Sequence, residues 1–498
     1  MLQGFYLSFS ETIDQEANAS LQAFAQSLLE QALEGITDII PGYRNIFIEY
    51  EDSLVTETSV KKWLESVKHA KVKAQPREVK LSVIYNGEDL AEISELTGLS
   101  RKEIIELHGE PSYQVYALGF TPGFPFMAEL PEKLRLPRKA IPRKRVAAHS
   151  VAIAGAQTGI YPLASPGGWH LLGQTQEAVF DPRRQEPFLL QAGDKVRFIA
   201  GSGQPAPPVE RLELLPETPA RPVLKVQKPG LLDLPVDTGR FLVGRFGLAR
   251  SGALDAQLAS VANQLLGNPS KAVLLEMTLT GPVMECLEPC LVAHTGWSVT
   301  SRLNGKAQPP FSSFALKKGD VLSFEPTSQG VRSYLALAGG IESRQFIGSA
   351  SVDLTGLIGR GLETGDVLGQ AAETRALPGR TFAPFRKLDK ETTIRIGPGP
   401  QASQELIQVL TSSSYSVLSA DRMGIRLQGP ALGVEGIISE AAPIGAVQVT
   451  SAGMPIILLN DRGTLGGYAK PALIVPQDLP KLAQLRPGQR LKFRAIST

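Results

Sequence analysis

The chain of 498 residues is 43% hydrophobic, which is enough for two to four domains with substantial cores and excludes a globally disordered protein. Its 51 basic and 49 acidic side chains nearly cancel, so we expect no nucleic-acid partner, whose binding would need a basic excess. No apolar run approaches the ~18 residues of a membrane span and no signal-peptide pattern opens the chain, so we expect a cytoplasmic protein without a membrane partner.

The first 86 residues alternate strand-like and helical patterns. RNIFIEY (44–50) and REVKLSVIY (77–85) alternate as strands, whereas SVKKWLESVKHA (59–70) is amphipathic at helical spacing. With residues 37–41 counted as a strand, the order is βαββαβ. This order predicts a small two-layer α+β unit over 1–86.

Short strands and Gly/Pro turns follow over 87–200, after a helix whose start is marked by Ser100 with Glu103 three residues on. Six prolines within 201–222 then predict a semi-extended linker. The strand-and-turn pattern resumes over 223–498 and predicts a second domain of the same kind.

One nonapeptide pattern recurs three times. LQAGDKVRF (190–198), LKKGDVLSF (316–324) and LRPGQRLKF (485–493) share Leu, Gly at +3, Val or Leu at +6 and Phe at +8. The pattern predicts a tight turn that needs glycine, followed by a strand with its +6 and +8 side chains on one face.

A longer correspondence links residues 154–172 with 445–458. Gly159 is followed by Ser165 and Gly167, and Gly445 is followed at the same offsets by Ser451 and Gly453. We infer two related β-domains, each a closed or nearly closed barrel because sheet edges must be hidden. The second block lacks the second glycine of the first block, its Trp169, and the set Gln157, Thr158 and Tyr161. We expect a ligand at these positions.

Residues 250–269 predict a helix with Ser251 as its N-cap, an apolar stripe, and Gly267 at its end. Asp255 falls in its first turn. Two interpretations stay open for Asp255: compensation of the helix dipole, or a carboxylate beside a pocket.

The segment LLNDRGTLGGYAKP (458–471) carries Asp461 and Arg462 at the point where an apolar strand opens into a Gly-rich loop, a common geometry for a functional site. The alternative is a self-contained surface Asp–Arg pair. The basic run KLRLPRKAIPRKR (133–145) is typical of a solvated loop, with anion steering through Arg143 or Arg145 as the alternative.

Metal and autonomous nucleotide sites are not expected. Cys286 and Cys290 give neither a disulfide framework nor a zinc quartet, and the histidines show no ligand spacing. GPGPQASQ (397–404) lacks the G-K-[ST] ending of a P-loop.

Together these segments resemble the families of the B and C subunits of bacterial 5-oxoprolinase, here joined in one chain. The same families include the Kip-type kinase inhibitor and its antagonist, have also been called allophanate hydrolase subunits, and are similar to the carboxyltransferase domains of urea carboxylase. The B-type resemblance rests on LGFTPGFPFM (118–127), PRKRVAAHSVAIAGAQTGIYPLASPGGWHLLGQT (142–175) and FDP (180–182). The C-type resemblance rests on GRFGLARSGALD (244–255), LEMTLTGP (275–282), YLALAGGI (334–341), DRMGIRLQGP (421–430) and NDRGTLGGYAK (460–470). Gly463 and Leu465 stand where the family pattern has Gln and Thr.

The resemblance implies a mainly β fold with an α+β part: a ferredoxin-like amino-terminal unit followed by two cyclophilin-like β-barrel domains. It also implies an enzyme that opens 5-oxoproline, a small cyclic amide, to L-glutamate with hydrolysis of ATP accompanied by Mg2+. A separate A subunit is the implied partner. Whether ATP binds to this chain or to the partner stays open, as does homo-oligomer formation.

Opening a stable lactam needs a base, oxyanion donors and a cation for the substrate carboxylate. We assign Asp461 as base or orienter, Asp255 as a further catalytic candidate, and Arg462 or Arg143 as a carboxylate or phosphate contact. Two glycine pairs are candidate oxyanion donors and six side chains are candidates for the pocket wall. The glycines are Gly167, Gly168, Gly466 and Gly467; the side chains are Gln157, Thr158, Tyr161, Ser165, Trp169 and Tyr468.

Two other functions stay open. A regulatory protein of the sporulation-kinase inhibitor type is disfavoured by the fusion, because an inhibitor tied to its own antagonist would be permanently neutralised. A biotin-dependent carboxyltransferase component acting on urea or a related amide would need separate partners, because the chain has no A-M-K-M biotinyl motif and no carboxylase domain.

Overall fold

The computed structural model describes residues 2–68, 76–384, 386 and 388–496. In chain order these residues form a small amino-terminal unit, a closed barrel, a two-sheet unit and a second closed barrel. The predicted fold class, two barrels behind an α+β unit, is confirmed. Among the described helices, none has the length and apolar character that crossing a membrane would require.

The amino-terminal unit packs its helices on one antiparallel sheet with strand order β1-β3-β2. Its elements are β1 (Leu2–Ser8), α1 (Gln15–Glu30), β2 (Ile36–Pro41), β3 (Asn45–Glu51) and α2 (Glu57–Ser66). Leu21, Phe24 and Leu28 of α1 are buried, as their helical spacing predicts. The second predicted helix ends at Ser66, and residues 69 and 70 of that prediction lie outside the described residues.

The first barrel closes in the order β11-β4-β12-β5-β6-β9-β8, with β7 and β10 paired beside it. Its elements are β4 (Glu78–Ile84), α3 (Leu90–Thr97), α4 (Arg101–Gly109), β5 (Tyr113–Leu118), β6 (Pro125–Ala128), β7 (Arg143–Val146), β8 (Ser150–Ala154), β9 (Gln157–Ile160), β10 (Ser165–Gly167), β11 (His170–Thr175) and β12 (Lys195–Ala200). Ser100 and Glu103 form the predicted capping box of α4.

The predicted boundary at residue 86 needs correction. Strand β4, counted as the last strand of the amino-terminal unit, runs parallel to β12 and antiparallel to β11 inside the barrel. Its Leu81 and Val83 are buried in the barrel core. The amino-terminal sheet therefore has three strands, one fewer than a complete ferredoxin-like sheet.

The region 223–498 is likewise more than one barrel, because its first part forms two separate sheets. Their orders are β19-β18-β21-β16-β13-β23 and β14-β15-β22-β17-β20. The elements are β13 (Pro222–Lys228), β14 (Asp233–Val236), α5 (Ala256–Leu265), β15 (Leu274–Thr278), β16 (Val283–Cys286), β17 (Cys290–Gly296), β18 (Val299–Leu303), β19 (Lys306–Ala307), β20 (Ser312–Leu316), β21 (Val321–Pro326), β22 (Arg332–Leu337) and β23 (Val367–Gly369).

The predicted linker is partly packed against this two-sheet unit. Leu212 forms a bridge with Ile358, and its carbonyl accepts from Gly359 N at 2.7 Å. Leu214 is 1% exposed within the core that surrounds α5. Only part of the Pro-rich stretch is therefore free of the flanking units.

The second barrel closes in the order β24-β31-β28-β29-β26-β25-β32, with β27 and β30 paired beside it. Its elements are β24 (Glu391–Pro398), α6 (Gln404–Ser412), β25 (Ser414–Ala420), β26 (Gly424–Gln428), β27 (Glu440–Ala441), β28 (Ala446–Val449), β29 (Pro455–Leu458), β30 (Leu465–Gly466), β31 (Ala472–Ile474), α7 (Leu479–Leu482) and β32 (Arg490–Ala495). Like β4 and β12, β24 and β32 are parallel.

The two barrels match strand for strand in chain order, and even the outer pairs β7–β10 and β27–β30 correspond. This match corrects the alignment made from the sequence. That alignment set residues 171–172 of β11 against 457–458 of β29, whereas the topology makes β9 the counterpart of β29 and β11 that of β31. The counterpart of Gly167–Gly168–Trp169 is therefore Gly466–Gly467–Tyr468.

The three nonapeptide repeats form the predicted turns. Gly193, Gly319 and Gly488 have φ of +92°, +84° and +85°, a conformation that favours glycine. The turns lead into β12, β21 and β32, and the +6 and +8 side chains of each strand are buried. The outer copies close the barrels, and the middle copy belongs to the two-sheet unit.

Asp233 at the start of β14 makes folding stability depend on pH. It is 2% exposed, one carboxylate oxygen accepts from Gly230 N at 2.5 Å, and burial raises its pKa to about 7. The carboxyl of the unfolded chain ionises near pH 3.8, whereas the folded one keeps its proton up to about pH 7. The contribution of Asp233 therefore lowers the free energy of unfolding as pH rises from about 4 to about 7, by up to ~4 kcal/mol. We expect Asp233→Asn to weaken this slope in urea titrations between pH 4 and 8. An unchanged slope would contradict the assignment.

Candidate functional site

The first barrel and the second barrel meet at an aromatic contact that we call the junction. Tyr43 of the amino-terminal unit, Tyr161 and Trp169 of the first barrel, and Ala441 and Leu465 of the second share one buried cluster. Tyr6 Oη donates to the Ala441 carbonyl at 2.7 Å. The junction therefore joins three units, and it brings the two Gly-rich segments singled out in the sequence onto one contact.

Strand alternation decides which β9 residues reach the junction. Gln157 Nε2 donates to Tyr43 Oη at 2.5 Å, and Tyr161 lies just beyond the same strand. Thr158 points the other way, into the barrel, where its hydroxyl lies 2.9 Å from His108 Nε2. The structure thus brings Gln157 and Tyr161 to the junction and leaves Thr158 in the core.

Gly167 is needed because of Tyr161. A side chain at Gly167 would collide with Tyr161 Oη, so only glycine lets the ring approach. Ser165 is on the same face of β10, and its hydroxyl is buried without a hydrogen-bond partner. Trp169 packs edge-on against Phe124, with ring centroids 5.6 Å apart.

From the second barrel, the loop 463–468 contacts the first barrel. Gly119 contacts the Leu465 side chain so closely that it has no room for a Cβ, and Gly463 contacts the Phe120 carbonyl. Leu465 is 3% exposed. The apolar residue that departs from the family pattern therefore serves as a packing contact between the barrels. Gly466, Gly467 and Tyr468 follow it, and Tyr468 is 42% exposed.

Asp461 is held by a buried ion network. Its carboxylate accepts from Arg422 Nε at 2.7 Å and from Arg422 Nη2 at 3.1 Å. Arg422 Nη1 donates to Glu276 of the two-sheet unit at 2.5 Å. Burial raises the pKa of Asp461, and Arg422 opposes that rise. The carboxylate is thus directed at a protein cation and braces the start of the 463–468 loop.

Arg462 points away from Asp461, toward the amino-terminal unit. Its Nε donates to the Ala442 carbonyl at 2.5 Å, and the side chain is 3% exposed. Burial lowers its pKa, while Glu49 and Asp38 oppose that shift. Arg462 therefore bonds the segment after β27 within the second barrel, and the surface Asp–Arg pair considered for the sequence does not form.

Asp255 is the N-cap of α5, four residues after the predicted cap Ser251, and Leu258 N donates to it at 3.3 Å. It is fully buried and also contacts Arg386 and Gln484. Burial raises its pKa, and Arg386 and Gln484 oppose the rise. The helix-terminus interpretation fits this geometry, and the structure does not bring Asp255 to the junction.

Arg143 lies beside the junction but is largely engaged. Its guanidinium contacts Asp89 at 2.5 Å and Glu88 at 2.9 Å, while Nη1 has no hydrogen-bond partner within the described part of the chain. Lys139 bonds Asp89 as well, at 3.0 Å. These acids lie about fifty residues earlier in the chain, so the sequence pattern did not reveal that they neutralise part of the basic run.

Sequence reasoning missed a second buried pair next to the junction. Lys470 is fully buried, and its Nζ lies 2.9 Å from Glu440, which also accepts from Asn45 at 2.9 Å and from Gln401 at 2.8 Å. Arg422 was missed too. A recurring Asp–Arg dipeptide, at 421–422 and again at 461–462, is the signal that could have found it.

Two surface cavities of about 150 Å³ and 360 Å³ lie on the second barrel, and none of the predicted site residues lines either one. Within the described ranges, no three His, Cys, Asp or Glu side chains are grouped so as to hold a metal ion. The candidate site is therefore the junction and its exposed rim.

Comparison with known proteins accounts for both halves of the chain. Residues 2–190 match the family model described as carboxyltransferase domain, subdomain C and D, and residues 246–495 match subdomain A and B. The first half is 42% identical to the B subunit of 5-oxoprolinase from Escherichia coli O157:H7 over 182 residues, 35% of this chain and 82% of that protein. The second is 34% identical to the C subunit of 5-oxoprolinase from Escherichia coli K12 over 285 residues, 54% of this chain and 90% of that protein. The crystal structure of TTHA0988 is 48% identical and superposes with a TM-score of 0.96, covering 99% of this chain and 100% of that one.

Proposed function

We propose a function for this chain, which belongs to the carboxyltransferase-domain family: it is the fused B and C component of an ATP-dependent 5-oxoprolinase, working with a separate A subunit. The proposal rests on the fact that this one chain matches most of the length of two separate subunits. One half of the chain accounts for 82% of a 5-oxoprolinase B subunit and the other for 90% of a C subunit.

The proposed reaction activates a stable amide. The lactam oxygen of 5-oxoproline takes the γ-phosphoryl group of ATP and releases ADP. Water then adds to the activated carbon, and the carbon–nitrogen bond breaks as the ring nitrogen takes a proton, which leaves an acyl phosphate. A second water hydrolyses this acyl phosphate to the carboxylate of L-glutamate and releases phosphate. Because the described residues hold no cluster of metal ligands, Mg2+ in this scheme arrives on the phosphates of ATP.

We propose that the segments 167–169 and 466–468, each two glycines followed by an aromatic residue, lie next to the reacting atoms. Backbone N–H groups of Gly167, Gly168, Gly466 and Gly467 are the proposed oxyanion donors, because preorganised amides stabilise developing charge without reorganisation. Asp461 is the proposed orienter of the second segment, since Arg422 holds its carboxylate.

Reconstitution tests the proposal. The full chain is combined with a candidate A subunit, and glutamate release from 5-oxoproline is followed with ATP and without it. We expect release only when chain, partner and ATP are all present. No release with a partner shown to be folded and bound to the chain would refute the proposal.

Carboxyl transfer is the second candidate, supported by the carboxyltransferase description of both matching family models. It predicts that a carboxybiotin donor, and not ATP alone, drives a reaction of urea or a related amide on this chain. Supplying carboxybiotin with urea in the same reconstitution distinguishes the two reactions.

A further inference from the structure

The segment 136–139, which we call the strap, lies across the Gly-rich block of the first barrel. Gly155 N donates to the Leu136 carbonyl at 2.6 Å, and Lys139 N donates to the Gly168 carbonyl at 2.8 Å. His170 Nε2 donates to the Pro137 carbonyl at 3.0 Å. These bonds flank Arg138 on both sides, so its backbone is fixed next to residues 168–170.

Arg138 has no acid partner among the described residues, a property that it shares with Lys144 and Arg145 but not with the basic side chains nearest to it in the strap and in β7. Lys139 and Arg143 share Asp89, and Arg135 contacts Glu129 at 3.1 Å. Among the described residues, no ion pair or hydrogen bond involves the Arg138 side chain, which is exposed. A fixed backbone with a free guanidinium at its tip is what a site for an external anion requires.

Arg138 lies at the edge of the junction, because the strap fixes its backbone beside residues 168–170 and Trp169 belongs to the junction cluster. Burial raises the pKa of Tyr161 to about 12 and also raises the pKa of Tyr43; Arg138 opposes the rise at both phenols, and Arg143 opposes it at Tyr161 as well. The backbone position and the charge effect together agree with a guanidinium at the rim of the junction.

Two unpartnered donors lie in the same outer sheet. Arg143 pairs with Gly167, and Val146 with Ser165, in the β7–β10 ladder. Among the residues that the structure describes, Arg143 Nη1 and the Ser165 hydroxyl are buried without hydrogen-bond partners, a state that costs free energy unless a ligand or water satisfies them. Both are donors, which suits a carboxylate.

We propose that Arg138 binds the carboxylate of the substrate, with Arg143 Nη1 and Ser165 Oγ as supporting donors, at the rim of the junction. The identification of that carboxylate as the one on 5-oxoproline rests on the proposed function. The lactam ring would then lie toward Gly167, Gly168 and Tyr161, where the oxyanion donors are proposed.

The test compares 5-oxoproline with 2-pyrrolidone, the same lactam without a carboxylate. Arg138→Gln is compared with Arg197→Gln, which removes another exposed arginine, from β12. Binding is measured by calorimetric titration of the full chain, and KM and kcat in the complex with the A subunit. We expect Arg138→Gln to weaken 5-oxoproline binding and raise its KM about 10- to 100-fold, with kcat and 2-pyrrolidone binding little changed.

Each outcome separates the two proposals. If Arg138→Gln affects 5-oxoproline no more than Arg197→Gln does, or if the wild-type chain binds both lactams equally, the carboxylate site is refuted while the proposed function stands. If the chain binds 5-oxoproline in an Arg138-dependent way but releases no glutamate with its partner, the proposed function is refuted and the carboxylate site stands.

Discussion

Replacement of Arg422 by methionine is expected to lower the free energy of unfolding by about 3–5 kcal/mol, because it leaves the buried Asp461 carboxylate without its cation and the buried Glu276 carboxylate with Arg332 alone. The Arg422 side chain is 5% exposed and contacts Glu276 at 2.5 Å and Asp461 at 2.7 Å. Burial would raise the pKa of Glu276, but Arg422 and Arg332 outweigh it and hold that pKa below its usual range. Urea denaturation at pH 7 measures the loss.

The matched control is Arg426→Met, on the exposed face of β26 in the same barrel. It should change stability by less than about 0.5 kcal/mol. Adding Glu276→Gln to Arg422→Met should recover part of the loss, since it removes one of the stranded charges. An Arg422→Met chain as stable as the wild type would contradict this prediction. It would show that the attraction within the ion network does not exceed the free-energy cost of burying its charges.

Asp461→Asn is expected to reduce glutamate release in the reconstituted complex by about 100-fold, as removal of one preorganised element of an oxyanion site does. The amide that replaces the Asp461 carboxylate has only one oxygen and no charge, so it cannot accept both hydrogen bonds from the Arg422 guanidinium as the carboxylate does. The start of the 463–468 loop is then held less firmly. We expect the loss in kcat, with KM for ATP little changed, because the substitution affects the loop geometry and not an ATP contact.

Asp421→Asn is the control for this prediction. Asp421 adjoins Arg422, is exposed, and accepts from Met423 N and Gly424 N in a turn. Its variant should keep turnover within about twofold of the wild type, since it leaves the buried network intact. Normal turnover by Asp461→Asn would exclude a role for Asp461 in the reaction.

Much of the fold was accessible from local patterns. A glycine turn followed by two inward side chains is encoded within nine residues, so the strands β12, β21 and β32 could be predicted. The placement of β4 in the barrel instead of in the amino-terminal unit could not be predicted, because its parallel partner β12 begins more than a hundred residues later. The sequence alignment of the barrels failed for a related reason: Gly–Ser–Gly spacing is a property of turns, whereas equivalence between barrels is set by strand pairing.

The site was predicted as a set of segments, and the roles within it depended on partners that spacing cannot reveal. Asp461 and Arg462 look like a surface pair, yet each bonds another partner: Asp461 connects through Arg422 to Glu276, and Arg462 donates to the Ala442 carbonyl. Arg143, predicted as a carboxylate or phosphate contact, is bonded to Asp89, an acid that lies more than fifty residues earlier in the chain. Strand alternation alone would have separated Thr158 from Gln157.

The continuous connection through residues 201–221 changes how the junction assembles. Its two faces belong to one chain, so they meet in an intramolecular step with an effective concentration on the order of millimolar. Dilution to nanomolar protein leaves such a contact intact, whereas the same contact between two separate polypeptides would dissociate according to its affinity. Because the two halves are one polypeptide, they are always present in equal amounts. An excess of one half therefore cannot occupy a partner that needs both.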